Sequence, residues 1–203
     1  MPSLNSTTRT IRVKIVYYGA GLSGKTTNLD HLHRVFPKRS RGVMVKLDTE
    51  TERTLFFDYF PATLGKLGGY GVKVDFFTVP GQSFYNATRR AVLEKADGIA
   101  FVADSSPRRE HANRVALENL AQNLATWGRK LEDIPLVFQW NKRDVPNALP
   151  VSLLERTLNP RICPSVAAIA KNGEGVWDTQ AAILRAVLDH LRRQYANPRR
   201  RYA

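Results

Sequence analysis

Residues 19–26 read Gly19-Ala20-Gly21-Leu22-Ser23-Gly24-Lys25-Thr26 and fit G-x-x-x-x-G-K-[ST] at every fixed position. Glycines at these places let a backbone curl until its N–H groups converge on phosphate oxygens. A helix starting at Lys25, Thr26 and Thr27 would turn its positive end to the same anion. Lys25 would bring a charge to the β and γ phosphates, and Thr26 a hydroxyl to Mg²⁺. The alternative is a glycine-rich turn that binds nothing.

A second run, Asn141-Lys142-Arg143-Asp144, follows a hydrophobic stretch at residues 135–140. A carboxylate at a strand end accepts two N–H bonds from guanine, at its ring N–H and its amino group. Adenine lacks that pair, and a polar site rejects a ligand that leaves it unsatisfied. Alone, the tetrapeptide could equally be a charged surface turn. After the first motif, it points to guanine nucleotides.

The elements around these runs must hold them. Residues 11–18 are rich in valine and isoleucine and predict a buried strand leading into the glycine loop. A helix follows with Leu29, Leu32 and Phe36 on one face, ended by Pro37. Residues 38–46 read as a basic loop, 54–60 as a strand, 61–71 as a glycine-rich hairpin turn, and 72–79 as the partner strand. The pattern then alternates: helix 84–95, strand 98–103, a long helix opened by Pro107 with Leu117, Leu120, Leu124 and Trp127 on one face, strand 135–140, helix 150–158, strand 163–168. A final helix carries Leu184, Val187, Leu188, Leu191 and Tyr195 in one stripe. This predicts an α/β domain over residues 1–196: a six-stranded, mostly parallel sheet with five helices on both faces and an antiparallel edge from the hairpin. Residues 197–203 form a basic tail expected to be disordered.

The 203 residues suit one domain, and 43% hydrophobic with 24% charged residues is the balance of a globular protein. No stretch has the apolar length of a membrane span, and residues 1–10 lack the apolar centre of a signal peptide, so the expected location is the cytoplasm. The single cysteine, Cys163, excludes an intrachain disulfide and reads as a small buried hydrophobe. His31 and His33, two apart on a helix, point to different sides and suggest no metal site. The net charge of +13 attracts acidic partners, and Arg192, Arg193, Arg199, Arg200 and Arg201 concentrate it at the end of the chain. That end reads first as a solvated tail after the last helix, with a weak contact to an anionic membrane surface as the alternative. Nucleic acid is not expected, because no aromatic-basic recognition motif accompanies the charge.

The two motifs together resemble the Ras-like small GTPases, and within them the MglA-type bacterial proteins of gliding motility and cell polarity. The resemblance runs from about Ile11 to the end of the last helix. It is carried by Tyr17-Tyr18-Gly19, residues 21–29, Glu52-Arg53-Thr54-Leu55-Phe56-Phe57-Asp58, Thr78-Val79-Pro80-Gly81-Gln82, Phe84-Tyr85-Asn86-Ala87 and residues 141–144. It implies a Ras-like P-loop fold, GTP or GDP with Mg²⁺, and slow GTP hydrolysis. Gln82 would orient the attacking water, and Gly81 would donate its N–H to the γ-phosphate. Arg53 would be an arginine finger supplied in cis, and Thr54 a second hydroxyl near Mg²⁺. Without the resemblance, Arg53 is an exposed arginine at a strand start. The implied partner is a dimeric roadblock-fold activator of the MglB kind that repositions Arg53 and Gln82. Recruitment to a cell pole or to the inner membrane surface goes with that group.

Two departures from the Ras pattern stand out. Thr78 occupies the place of the aspartate that holds Mg²⁺ through water, leaving metal ligation to Thr26, with Asp58 as a further candidate. The base-binding Ser-Ala-Lys is here Ile169-Ala170-Lys171; the Ala170 N–H is expected at the guanine oxygen and Lys171 over the ring. The rival readings are a GTP-loaded scaffold with negligible hydrolysis and a P-loop ATPase or nucleotide kinase.

Overall fold

Nine residues of alternating character, Thr10–Tyr18, open the main sheet as β2, after a short strand β1 (Ser3–Asn5) that pairs with it antiparallel. The computed structural model describes residues 3–5, 7–47, 57–81 and 85–196. Arg53, Thr54, Gln82, Phe84, the start of the expected strand at 54–56 and the tail 197–203 lie outside them.

Along β2, Val13, Ile15 and Tyr17 enter one core and Val16 and Tyr18 the other, as the period of two requires. Helix α1 (Lys25–Val35) follows, then β3 (Val45–Leu47), β4 (Phe57–Leu67), β5 (Tyr70–Thr78) and α2 (Asn86–Leu93). The rest alternates: β6 (Gly98–Asp104), α3 (Glu110–Ala125), β7 (Leu136–Asn141), α4 (Val151–Leu158), β8 (Ser165–Ala167) and α5 (Val176–Ala196). The sheet runs β3-β4-β5-β2-β6-β7-β8, parallel from β5 to β8 and antiparallel where β4 joins β5 and β3.

Both faces are covered. Leu29 and Leu32 of α1 pack with Ile183, Val187 and Leu191 of α5 on one side. Val92 and Leu93 of α2, Leu120 and Leu124 of α3, and Leu154 and Leu158 of α4 pack on the other. Strands β6 and β7, flanked on both sides, are buried at every residue, so their apolar content is continuous rather than alternating. A reciprocal amide pair crosses the first core. Asn28 Nδ2 donates to Gln139 Oε1 and Gln139 Nε2 to Asn28 Oδ1, both at 2.8 Å, and the same Nε2 reaches Thr179 Oγ1 at 2.8 Å. It joins α1, β7 and α5.

Among the described residues the sheet has eight strands, not six. The additions are the three-residue β1 and β3, too short to show a period; β3 lies in the expected basic loop, behind a turn of 3₁₀ helix at Lys38–Ser40. The expected hairpin turn over 61–71 is mostly strand. A bulge between Thr63 and Gly65 takes up Leu64, Gly65 pairs with Val72, and β4 continues to Leu67. Only Gly68 and Gly69, at φ 55° and 83°, turn the chain, which is what a two-residue hairpin of the right twist needs. Trp127 is not on the face of α3: that helix ends at Ala125, and the indole is 46% exposed. Cys163 is half-buried against the second core rather than fully enclosed. The histidines do diverge: His33 meets Phe60 edge-on at 5.1 Å, while His31 lies against the turn at Gly173.

Candidate nucleotide-binding site

The loop from Gly19 to Gly24 leaves the end of β2 and enters α1 without a side-chain cap. The first helical bond runs from Asn28 N to Gly24 O, so the amides of Lys25, Thr26 and Thr27 have no partner within the helix. No acidic residue occupies the first turn to compete for them. Gly24 has φ 102°, and a Cβ there would run into Asn141 Nδ2. That glycine is therefore fixed by the approach of the second motif as well as by its own backbone. Leu22 takes φ 62° without being glycine and is 86% exposed at the loop's tip.

Lys25 is almost completely buried, with Nζ donating to the carbonyls of Gly19 at 3.1 Å and Ala20 at 2.7 Å. Burial, then the nearby charges of Arg89 and Arg109, push its pKa down to about 7, with Asp58 acting the other way. Arg109, at the foot of α3, also donates to the Gly21 carbonyl. Ser23 Oγ is buried without a partner in the same loop. An uncapped helix start, an orphaned hydroxyl and a cluster of cations together fit a polyphosphate.

Beyond Lys25, Thr26 Oγ1 donates to Asp58 Oδ2 at 2.6 Å. Asp58 lies on β4, and the Thr78 hydroxyl of β5 donates to the same carboxylate oxygen at 2.9 Å while accepting the Asp58 N–H at 2.8 Å. A carboxylate therefore lies beside Thr78, on the neighbouring strand. Thr26 and Asp58 are the hard oxygen donors that suit Mg²⁺, which also keeps waters and phosphate oxygens as ligands. Among the described residues no group of three or more histidine, cysteine or acidic side chains could hold a metal by itself. The chain's residues fit a cation bound jointly with a phosphate.

The second motif sits at the end of β7, beside the phosphate loop. Asn141 Nδ2 donates to the Ser23 carbonyl at 2.7 Å, and its Oδ1 accepts the Ala170 N–H at 2.9 Å. One side chain ties the phosphate loop, β7 and the loop after β8. Lys142, at φ 63°, donates to Asp104 Oδ2 at 2.7 Å. Burial works against the Asp104 charge, but hydrogen bonds from Lys142 and Ser106 outweigh it and hold the carboxyl below its usual range. Asp144 is exposed, with no hydrogen bond or ion pair among the described residues, and Lys171 is exposed as well. The Ala170 N–H, expected at a guanine oxygen, is here donated to Asn141.

Gly81 packs directly on Gly21 of the phosphate loop. The motifs thus bring together Gly19, Gly21, Leu22, Ser23, Gly24, Lys25, Thr26, Thr27, Gly81, Asn141, Lys142, Asp144, Ala170 and Lys171 at one end of the sheet. Sequence reasoning missed Arg89, Arg109 and Asp104. Each is an ordinary charged residue in the sequence, and no motif marks it.

No family model matches the chain. The mutual gliding-motility protein MglA of Myxococcus xanthus (strain DK1622) is 46% identical over 193 residues, spanning 95% of this chain and 99% of that protein. The chain belongs to the MglA family. It is a family of small G proteins, and the Ras-like P-loop fold inferred from the motifs goes with it. The unusual Thr78 and the phenylalanine-rich β4 and β5 are therefore read within the MglA family, not as damage to a Ras pattern. No helix among the described residues is long and apolar enough to cross a membrane.

Proposed function

We propose that this chain binds GTP and GDP with Mg²⁺, hydrolyses GTP slowly, and acts as a conformational switch in bacterial cell polarity or motility. The observation that carries the reading is the bridge of Asn141 between the Ser23 carbonyl and the Ala170 amide. It supports the reading because it ties the segment that ends at Asp144 to the loop at residues 19–26.

In this reading the α1 amides and Lys25 hold the β-phosphate, and Asp144 takes the guanine N–H pair. Ala170 shares its N–H or yields the base oxygen to its neighbour, and Lys171 and the Lys142 stem cover the ring. Thr26, Asp58 and Thr54 would hold Mg²⁺, whose charge offsets that of the phosphates during transfer. Gly81 would donate its N–H to the γ-phosphate. Gln82 would orient the water, and Arg53 would add positive charge where it develops. Loss of the γ-phosphate removes the ligand that holds residues 37–56 and 80–90, which is the switch.

The partner in this reading is a roadblock-fold activator, and the site of action is the cytoplasm, a cell pole or the inner membrane surface. The arginines from Arg192 to Arg201 would add about 1 kcal/mol each at most on an anionic surface. The deciding experiment is single-turnover hydrolysis of GTP and ATP with and without a roadblock protein. GTP turnover that rises with the roadblock protein supports the proposal. GTP binding with no turnover in either case makes the chain a scaffold, and ATP preference makes it a different enzyme.

A further inference from the structure

Arg89 on α2 is only 4% exposed and makes no ion pair among the described residues. Its guanidinium is used on three sides. Nε donates to the Pro80 carbonyl at 2.9 Å, Nη2 to the Gly81 carbonyl at 2.7 Å, and Nη1 to Asn119 Oδ1 on α3 at 2.8 Å. It also lies 5.6 Å from the centre of the Tyr18 ring.

Asn119 is itself held. Its Oδ1 accepts from the Tyr18 hydroxyl at 2.6 Å and from Asn123 Nδ2 at 3.1 Å, and its Nδ2 donates to Asn86 Oδ1 at 3.0 Å. Asn123 reaches the same Asn86 oxygen at 2.8 Å. Neutral amides thus join α2 to α3 even without the guanidinium. A buried cation without a carboxylate is costly, and joining two helices does not require one.

What the guanidinium does that the amides do not is grip two successive carbonyls. The peptide between Pro80 and Gly81 is trans and planar, so its N–H points opposite to its C=O. Pulling the Pro80 carbonyl toward α2 aims the Gly81 N–H away from α2. Gly81 also packs on the phosphate loop: a Cβ on it would stand 3.5 Å from Lys25 Nζ and would overlap the Gly21 Cα. The rigid fork matches this pair of acceptors, which an ammonium cannot span. Resting on the nucleotide-switch reading above, we propose that Arg89 is a positioning residue that orients the Gly81 amide toward the terminal phosphate and locks α2 against α3 through Asn119.

The test compares binding of fluorescent GDP and of a non-hydrolysable GTP analogue, both with Mg²⁺, in wild type, Arg89→Lys and Asn119→Ala. Arg89→Lys should lose about tenfold or more of its affinity for the GTP analogue while GDP affinity stays within about threefold. Asn119→Ala keeps the guanidinium but frees its anchor, so the same ratio should move in the same direction and by less. A purely structural arginine would weaken both nucleotides alike. Equal losses, or an unchanged ratio in the two variants, overturn the proposal. Should Arg89→Lys not fold, the ratio in Asn119→Ala decides alone. Failure of the underlying reading looks different: the wild type would then not prefer guanine to adenine nucleotides.

Discussion

Asp58 and Thr78 face each other across β4 and β5 through two hydrogen bonds: Thr78 Oγ1 donates to the Asp58 carboxylate and accepts the Asp58 N–H. The threonine holds the acid in place, and the acid reaches Thr26. Strand pairing thereby brings the carboxylate of β4 to the hydroxyl of α1, where the proposed reading puts Mg²⁺.

The first prediction concerns that carboxylate. Asp58→Asn should raise the Mg²⁺ concentration needed for half-maximal GTP turnover by about tenfold, the scale of losing a group that supports a metal site. GDP binding in the presence of a chelator should hardly change. A metal requirement identical to wild type would place the cation elsewhere.

Lys25 gives a pH dependence. Its ammonium is pushed down to about 7 by burial and by Arg89 and Arg109, and phosphate would restore the charge. Above that pH the empty protein must take up a proton to bind. GDP affinity should then fall by up to about tenfold per pH unit until the pKa of the complex is reached. The empty fold responds in the opposite direction. The unfolded lysine titrates near 10.5, so between about 7 and 10.5 it is the unfolded chain that holds the extra proton. Raising the pH through that window favours the empty fold as far as this group goes. Calorimetric titration in buffers of different ionisation enthalpy measures the uptake directly, and no uptake at pH 8 would contradict it.

Base recognition separates from phosphate binding. Asp144→Asn should weaken GDP by about 10²-fold or more, because the guanine N–H pair loses its acceptor, and should improve xanthosine diphosphate. Asp144 has no partner among the described residues, so the fold should keep its melting temperature within about 2 °C. A preference of the wild type for ATP in competition would defeat the assignment.

Arg53→Ala and Gln82→Ala should keep GDP affinity and lose activator-stimulated hydrolysis, by roughly 10³–10⁵ for the arginine. The readout needs the roadblock protein present. Full stimulation of Arg53→Ala would return that residue to an ordinary surface arginine.

Much of this site was legible because its chemistry is local in the sequence. Gly19 to Thr26 must be contiguous to wrap an anion, and Asn141 to Asp144 must follow a strand. Asp58 was legible only as a candidate, since its meeting with Thr26 depends on the register of β4 against β5. Arg89 was not legible at all. Arg89-Arg90 looks like a solvated basic face, yet helix rotation buries the first and exposes the second. The extension of β4 was hidden for a similar reason: Gly65 reads as a turn residue but pairs with Val72 just after a bulge.

The amide pair between Asn28 and Gln139, with Thr179, has a mechanical consequence. Helix α1, strand β7 and the last helix, α5, form one stator. Its hydrogen bonds run between buried side chains of the protein itself. If the proposed reading holds, the free energy of phosphate binding would act on a lever outside that frame, the Gly81 peptide and α2. A ligand that differs by one phosphate can then be felt as a displacement of the lever rather than as a loosening of the whole molecule.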